Sequence, residues 1–303
     1  MSSAAHAAGR ADASDDDLPG ESVFVETNEI RLHTRQAGPD DGSLVVLLHG
    51  FPEYWYGWHT QIEPLAEAGY RVVVPDQRGY NHSDKPAGVG RYHLDELAAD
   101  IVGLIDACER DRAAVVGHDW GAAVAWWLAL HHPDRLASLT AVNVPHPTVM
   151  ERTLRTSWRQ RRKSWYMALF QLPGVSEALL RAGDYRLMTR SLANSSRPGT
   201  FTPRDFERYR AVWSRQGALT AMLNWYRAIA RYRPRPVQQT VSVPTLVLWG
   251  ANDEFLSREM AAASVEYCEQ GRLELIEDAT HWVVHEEPDR VSQQLVAHID
   301  DHW

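Results

Sequence analysis

Three short runs of aliphatic residues each stop abruptly at a turn-forming residue, and this pattern constrains the chain most. Leu44–Leu48 ends at His49-Gly50, Arg71–Val74 at Pro75-Asp76, and Ala113–Val116 at Gly117. Continuous apolar runs of this length suit strands buried on both faces of a parallel sheet. Helical patterns separate them, over Tyr54–Ala68 and over His93–Cys108, the latter with apolar residues at Leu94, Leu97, Ile101, Leu104 and Ile105. Strand and helix in alternation predict a parallel α/β sheet. Two further strands, Val23–Glu26 and Ile30–Arg35, precede the series, and Ala137–Val144 extends it. The series resumes late, with strands Val243–Leu248 and Leu273–Ile276 and a closing helix Pro288–Ile299.

Between the halves, over residues 146–239, Arg and Trp become dense and helical patterns replace the β-branched runs. This predicts a helical insertion over the carboxyl ends of the strands, where such sheets bind ligands. The core is then assembled from residues 22–145 and 240–303. Residues 1–21 have almost no large apolar side chains and are expected to form a disordered tail. Five basic residues within Arg155–Lys163 read first as a solvated helix face, with a docking surface as the alternative. With 303 residues and 44% hydrophobic side chains the chain can bury a substantial core. A net charge of −9 disfavours nucleic acid and anionic membrane as partners. No apolar run is long enough to span a bilayer. Cys108 and Cys268 are each expected in an amphipathic helix, reduced, in a cytoplasmic protein.

Gly117-His118-Asp119-Trp120-Gly121 joins a strand directly to the helical stretch Ala122–His131. A tight strand–turn–helix of this kind lifts its central residue above the sheet at a helix N-terminus, where backbone N–H groups favour an anion. Serine at the centre would need a base before attacking. Aspartate, with an ordinary pKa of about 3.9, is already ionised at neutral pH. It can attack a saturated carbon that carries a leaving group and form an alkyl ester. Fold order then sets the acid after a late strand, at Asp253 with Glu254 as rival, and the base near the end, at His281. His281 and His285 are four apart, but Trp282 stands where a zinc-protease helix carries Glu, so no metal is expected. No phosphate-binding glycine loop or dinucleotide fingerprint is present, and no cofactor is expected.

Taken together, His49-Gly50-Phe51-Pro52-Glu53, Asp76-Gln77-Arg78-Gly79-Tyr80 and Gly117–Ala122 resemble the epoxide hydrolase branch of the α/β-hydrolases. The resemblance implies the α/β-hydrolase fold, a mostly parallel sheet flanked by helices with an inserted helical lid. It also implies a cis peptide before Pro52 and an oxyanion hole from the backbone N–H groups of Phe51 and Trp120. Ser164–Gly174 resembles the family's first lid-tyrosine segment and Leu223–Arg227 the second, which assigns Tyr166 and Tyr226 to the epoxide oxygen. His49 and His118 are read as structural hydrogen-bonding groups. Phe51, Trp120 and Trp165 are expected in the substrate pocket, and the placing of Trp55, Trp58, Trp120, Trp165 and Trp225 near motifs suggests an aromatic wall for an apolar or aryl epoxide. Epoxide and water are then the only partners expected, in a monomer or homodimer. The same Asp-His-Asp set also serves haloalkane and haloacid dehalogenases. A hydrolase-fold protein that binds ligand without turnover is a third reading.

Overall fold

The computed structural model describes residues 18–303. The chain enters through the hairpin β1 (Glu21–Thr27) and β2 (Ile30–Ala37). It continues through β3 (Leu44–Leu48), α1 (His59–Glu67), β4 (Arg71–Pro75), α2 (Leu94–Ala107), β5 (Ala113–His118), α3 (Trp120–His131) and β6 (Leu136–Val142). Six helices follow: α4 (Pro147–Thr156), α5 (Trp158–Lys163), α6 (Tyr166–Leu169), α7 (Val175–Ser195), α8 (Pro203–Trp213) and α9 (Ala218–Tyr232). The core closes with β7 (Thr245–Gly250), α10 (Glu259–Val265), β8 (Gly271–Ile276), α11 (Val283–Glu286) and α12 (Pro288–Asp300).

The strands form one eight-stranded sheet in the order β1-β2-β4-β3-β5-β6-β7-β8. Only β1 and β2 run antiparallel to their neighbours; the pairs from β4 to β8 are all parallel. Every residue of β3, β5, β6 and β7 is buried, as expected of strands covered by helices on both faces. Because these strands are parallel, the loops after β3, β5, β6, β7 and β8 all emerge at one edge of the sheet. Any residue placed just past those strands shares that edge.

Several details depart from the sequence expectations. The disordered tail expected over residues 1–21 lies, for residues 1–17, outside the described residues. Leu18 and Pro19 are held through their carbonyls by the Arg35 guanidinium at 2.6 and 3.1 Å, and Glu21 already opens β1. The helix expected from Tyr54 divides into a 3-10 turn over Trp55–Trp58 and then α1, because the Trp55 amide bonds outward to Asp76 at 3.0 Å. β6 stops two residues early, where Asn143 takes a left-handed φ of 52°. Cys108 sits at the C-cap of α2, whereas Cys268 lies in a turn after α10 rather than in a helix; both thiols are free. Among the described residues no helix is long and apolar enough to cross a membrane.

Candidate active site

The tight turn after β5 is a matter of glycine. A Cβ on Gly117 would run into the Gly121 carbonyl, and one on Gly121 into the Leu48 carbonyl. A Cβ on Gly50 would strike the Asp119 side chain itself, and one on Gly250 the Thr280 carbonyl. Four glycines thus allow the loops after β3, β5, β7 and β8 to crowd together. Asp119 stands at the apex with φ 49° and ψ −122°, an uncommon backbone for a residue with a side chain.

Asp119 Oδ1 accepts a hydrogen bond from the Phe51 amide at 2.8 Å. Its Oδ2 lies 3.6 Å from His281 Nε2. The opposite ring nitrogen, Nδ1, is 2.7 Å from Asp253 Oδ2. Asp253 Oδ1 in turn accepts from the Phe255 and Leu256 amides at 2.7 and 2.8 Å, and Asn143 Nδ2 donates to Oδ2 at 2.7 Å. One imidazole therefore lies between the buried Asp253 and the half-buried Asp119, and Asp253 rather than Glu254 is its partner.

The charges follow from this arrangement. Burial pushes the Asp119 carboxyl up, but the His281 ring, His118 and the Phe51 amide more than offset it and hold the group below its ordinary value. Burial likewise pushes Asp253 up, and His281, Asn143 and the Leu256 amide bring it down. Burial lowers His281, yet the Asp253 charge and the Asp119 contact prevail and raise it to about 10. These shifts all favour a charged imidazolium between two carboxylates. Burial, with the Asp119 charge contributing, raises both Tyr166 and Tyr226 above the ordinary phenol value, so both hydroxyls keep their protons.

Asp119, His281, Tyr166 and Tyr226 border one cavity of about 320 Å³. Phe51, Phe170, Phe255 and Trp282 give it an aromatic wall, and Leu180, Met188 and Leu192 of α7 line it as well. The Tyr166 and Tyr226 rings meet edge to face with centroids 6.1 Å apart. The Phe51–Pro52 peptide is cis. Among the described residues no cluster of His, Cys, Asp and Glu is arranged to hold a metal.

A model of the alpha/beta hydrolase fold family matches residues 43–288. The chain is 48% identical over 276 residues to the AB hydrolase superfamily protein YfhM of Bacillus subtilis, covering 91% of this chain and 96% of that one. It is 37% identical over 283 residues to Epoxide hydrolase 1 of Caenorhabditis elegans, covering 91% and 69%. The crystal structure of the Bacillus megaterium epoxide hydrolase in complex with an inhibitor superposes with a TM-score of 0.84 at 28% identity, covering 92% of this chain and 100% of that one. The chain belongs to the epoxide hydrolases of the α/β-hydrolase fold.

Within this epoxide hydrolase the predicted site residues separate into two groups. Asp119, His281, Asp253, Tyr166, Tyr226 and Phe51 are brought together. Trp120 opens α3, where a backbone N–H has no partner within the helix. Its indole does not border the cavity; it packs edge-on against Tyr226 and Trp225, with centroids 4.9 and 5.7 Å away, and helps to moderate the Tyr226 hydroxyl. The expected tryptophan wall is mostly core: Trp55, Trp58 and Trp225 are fully buried, and only Trp165 and Trp282 reach the cavity. His49 and His118 are structural hydrogen-bonding groups. His49 Nε2 accepts from the Gln77 amide at 3.0 Å, and His118 donates to the His281 carbonyl at 2.9 Å.

Sequence reasoning missed Asn143, which orients Asp253 and also accepts from the Gly250 amide at 2.8 Å. Its place at the end of β6, where four neighbouring strand ends carry the site, was the available signal. Glu53 was also missed. It is a fully buried carboxylate met by Tyr209 and His285 at 2.7 Å and by His118 at 3.2 Å. Lys163 does not belong to a solvated face: its ammonium donates to the Asp253 carbonyl at 2.6 Å. Gln160 reinforces that joint through Phe255 and Ser257.

Proposed function

We propose that this chain converts an epoxide and water into a vicinal diol through an alkyl ester on Asp119. The observation that carries the reading is that the Asp119 carboxyl and the Tyr166 and Tyr226 hydroxyls border the same cavity, in surroundings that hold the carboxyl below and the phenols above their ordinary pKa values. Asp119 attacks one ring carbon while Tyr166 and Tyr226 hydrogen-bond the epoxide oxygen, which leaves as an alkoxide and takes a phenol proton.

The proton cycle closes without outside help. At rest His281 carries a proton, held there partly by the Asp119 charge. Ester formation removes that charge, while the burial that lowers the ring remains. His281 then gives up its proton, which makes good the one passed to the alkoxide. The neutral ring accepts a proton from water as that water attacks the ester carbonyl, and Asp253 stabilises the imidazolium that re-forms. The amides of Phe51 and Trp120 serve the tetrahedral oxyanion. The intermediate collapses by breaking its bond to the diol oxygen, which departs with the proton of the newly added hydroxyl. Asp119 returns as carboxylate, His281 as imidazolium, and the starting charges are restored.

We assign residues 146–239 as a lid on a core of residues 22–145 and 240–303. Lys163, Gln160 and the Tyr209–Glu53 bond support this, since each ties an inserted helix to a loop of the site. Residues Phe51, Phe170, Phe255 and Trp282 favour an apolar or aryl epoxide. Dehalogenation fits less well. A departing halide needs N–H donors, whereas position 51 is Phe and the Trp120 indole is turned to Tyr226. A panel of aryl epoxides and haloalkanes assayed with native protein and Asp119→Ala is the test. Diol formation from epoxides alone, lost in the variant, is expected; halide release with no diol would overturn the assignment.

A further inference from the structure

The formal charge of −9 is unevenly spread. Between Glu151 and Glu177 the chain has six Arg or Lys residues and no Asp or Glu. Two of the six are paired, Arg155 with Glu151 at 2.7 Å and Arg159 loosely with Glu259 at 3.9 Å, and Lys163 is spent on carbonyls. Arg152, Arg161 and Arg162 make no side-chain bond among the described residues.

Two tryptophans stand in this basic stretch, and both are turned outward. Trp158 is 69% exposed and Trp165 64%. A single exposed apolar residue is ordinary, but indoles this open are costly in water. Trp158 opens α5, and Arg161 and Arg162 lie three and four residues on, so the three share a helix face. Arg162, Trp165 and the exposed Leu187 also border the cavity. The basic, indole-bearing face is therefore continuous with the mouth of the aromatic and aliphatic cavity.

We infer that this face docks the protein on an anionic lipid surface, with the cavity mouth turned toward the bilayer. Indoles belong at the lipid–water interface, where the ring meets acyl chains and the N–H stays wet. Unpaired arginines meet anionic headgroups. A second copy of this chain is a poorer occupant, because a two-fold contact would set Arg161 and Arg162 against their own copies. Docking also suits the ligand that the proposed function implies: an apolar epoxide partitions into lipid, and a mouth lying on the surface can take it from there. The whole-chain charge, read as disfavouring anionic membranes, averages away this local field.

Flotation with vesicles of phosphatidylcholine alone, and of phosphatidylcholine mixed with phosphatidylglycerol, tests the inference. The native protein is expected to float with the anionic vesicles only, and less so as salt rises. Trp158→Ser combined with Arg161→Glu touches neither cavity nor catalytic group. It should lower vesicle partitioning about tenfold or more, with melting temperature and turnover of a water-soluble epoxide unchanged. Asp119→Asn should float like the native protein, so failure of the chemistry and failure of the docking are distinguishable. Three results would overturn the inference: no enrichment on anionic vesicles, equal flotation of the double variant, or a dimer in solution that the double variant abolishes.

Discussion

Replacing Asn143 with Gly removes the side chain that braces Asp253 from behind the active site. Asn143 sits at φ 52°, so glycine accepts the backbone without strain, and only the side chain is lost. Three bonds disappear, the weakest a long one from Nδ2 to the Gly250 carbonyl at 3.4 Å, and two are short. Of the short pair, one runs from Nδ2 to Asp253 Oδ2 at 2.7 Å, and the other from the Gly250 amide to Oδ1 at 2.8 Å. Asp253 keeps the Phe255 and Leu256 amides and His281. It is weakened as a partner rather than orphaned. A hydrogen bond to a charged group is worth about 1.5–3 kcal/mol. At about 1.4 kcal/mol per decade, ester hydrolysis should slow about tenfold to a hundredfold. In the proposed mechanism that step relies on Asp253 to stabilise the re-formed imidazolium. Alkylation in the same proposed mechanism draws on the Asp119 carboxylate and the two phenols, so it should change less than about threefold, a few tenths of a kcal/mol. The loss at the neutral Gly250 amide should cost about 1 kcal/mol of stability. Rapid mixing that resolves the two steps, with urea unfolding alongside, gives all three quantities. If alkylation slows as much as hydrolysis, or hydrolysis is unchanged, the reasoning about Asn143 and Asp253 is wrong.

Other expectations follow from the same geometry. His281→Gln should still alkylate but stall, so an adduct one substrate heavier should accumulate on an Asp119 peptide in mass spectrometry; steady turnover near native would refute the role. Tyr226→Phe and Tyr166→Phe together should slow alkylation by about a hundredfold or more, measured by single-turnover quench. The His281 pairing should also register in stability. The folded ring holds its proton to about 10 against 6.5 ordinarily, so the pairing contributes fully below about 6.5 and is lost as pH rises toward 10. Asp119 and Asp253, both depressed, contribute above about 3.8 and lose that contribution as pH falls. Urea midpoints of native and His281→Gln protein across the alkaline range should converge as pH rises.

Much of the core was legible because burial on both faces of a parallel sheet leaves an unmistakable run of aliphatic residues. Leu44–Leu48 emerged with the same bounds in the structure, and the glycines around Asp119 announced a turn that only glycine permits. That Asp119, His281 and Asp253 would meet could be read because strand order assigns their places. Asn143 could not, since its use depends on a hydrogen bond across 110 positions of sequence. Nor could the tryptophans: composition suggests an aromatic wall, but packing decides that Trp55, Trp58 and Trp225 fill the core while Phe170 and Phe255 line the cavity. Lys163 looked like one solvated cation among five, and its role at the Asp253 loop needed the docking of the inserted helices.

The origin of the two diol oxygens bears most directly on covalent catalysis by Asp119. A single turnover should be run with excess enzyme in oxygen-18 water, followed by mass spectrometry of the diol and of the Asp119 peptide. The account predicts unlabelled diol and heavy oxygen in the Asp119 carboxylate. Label carried straight into the diol, with the peptide unchanged, would contradict it.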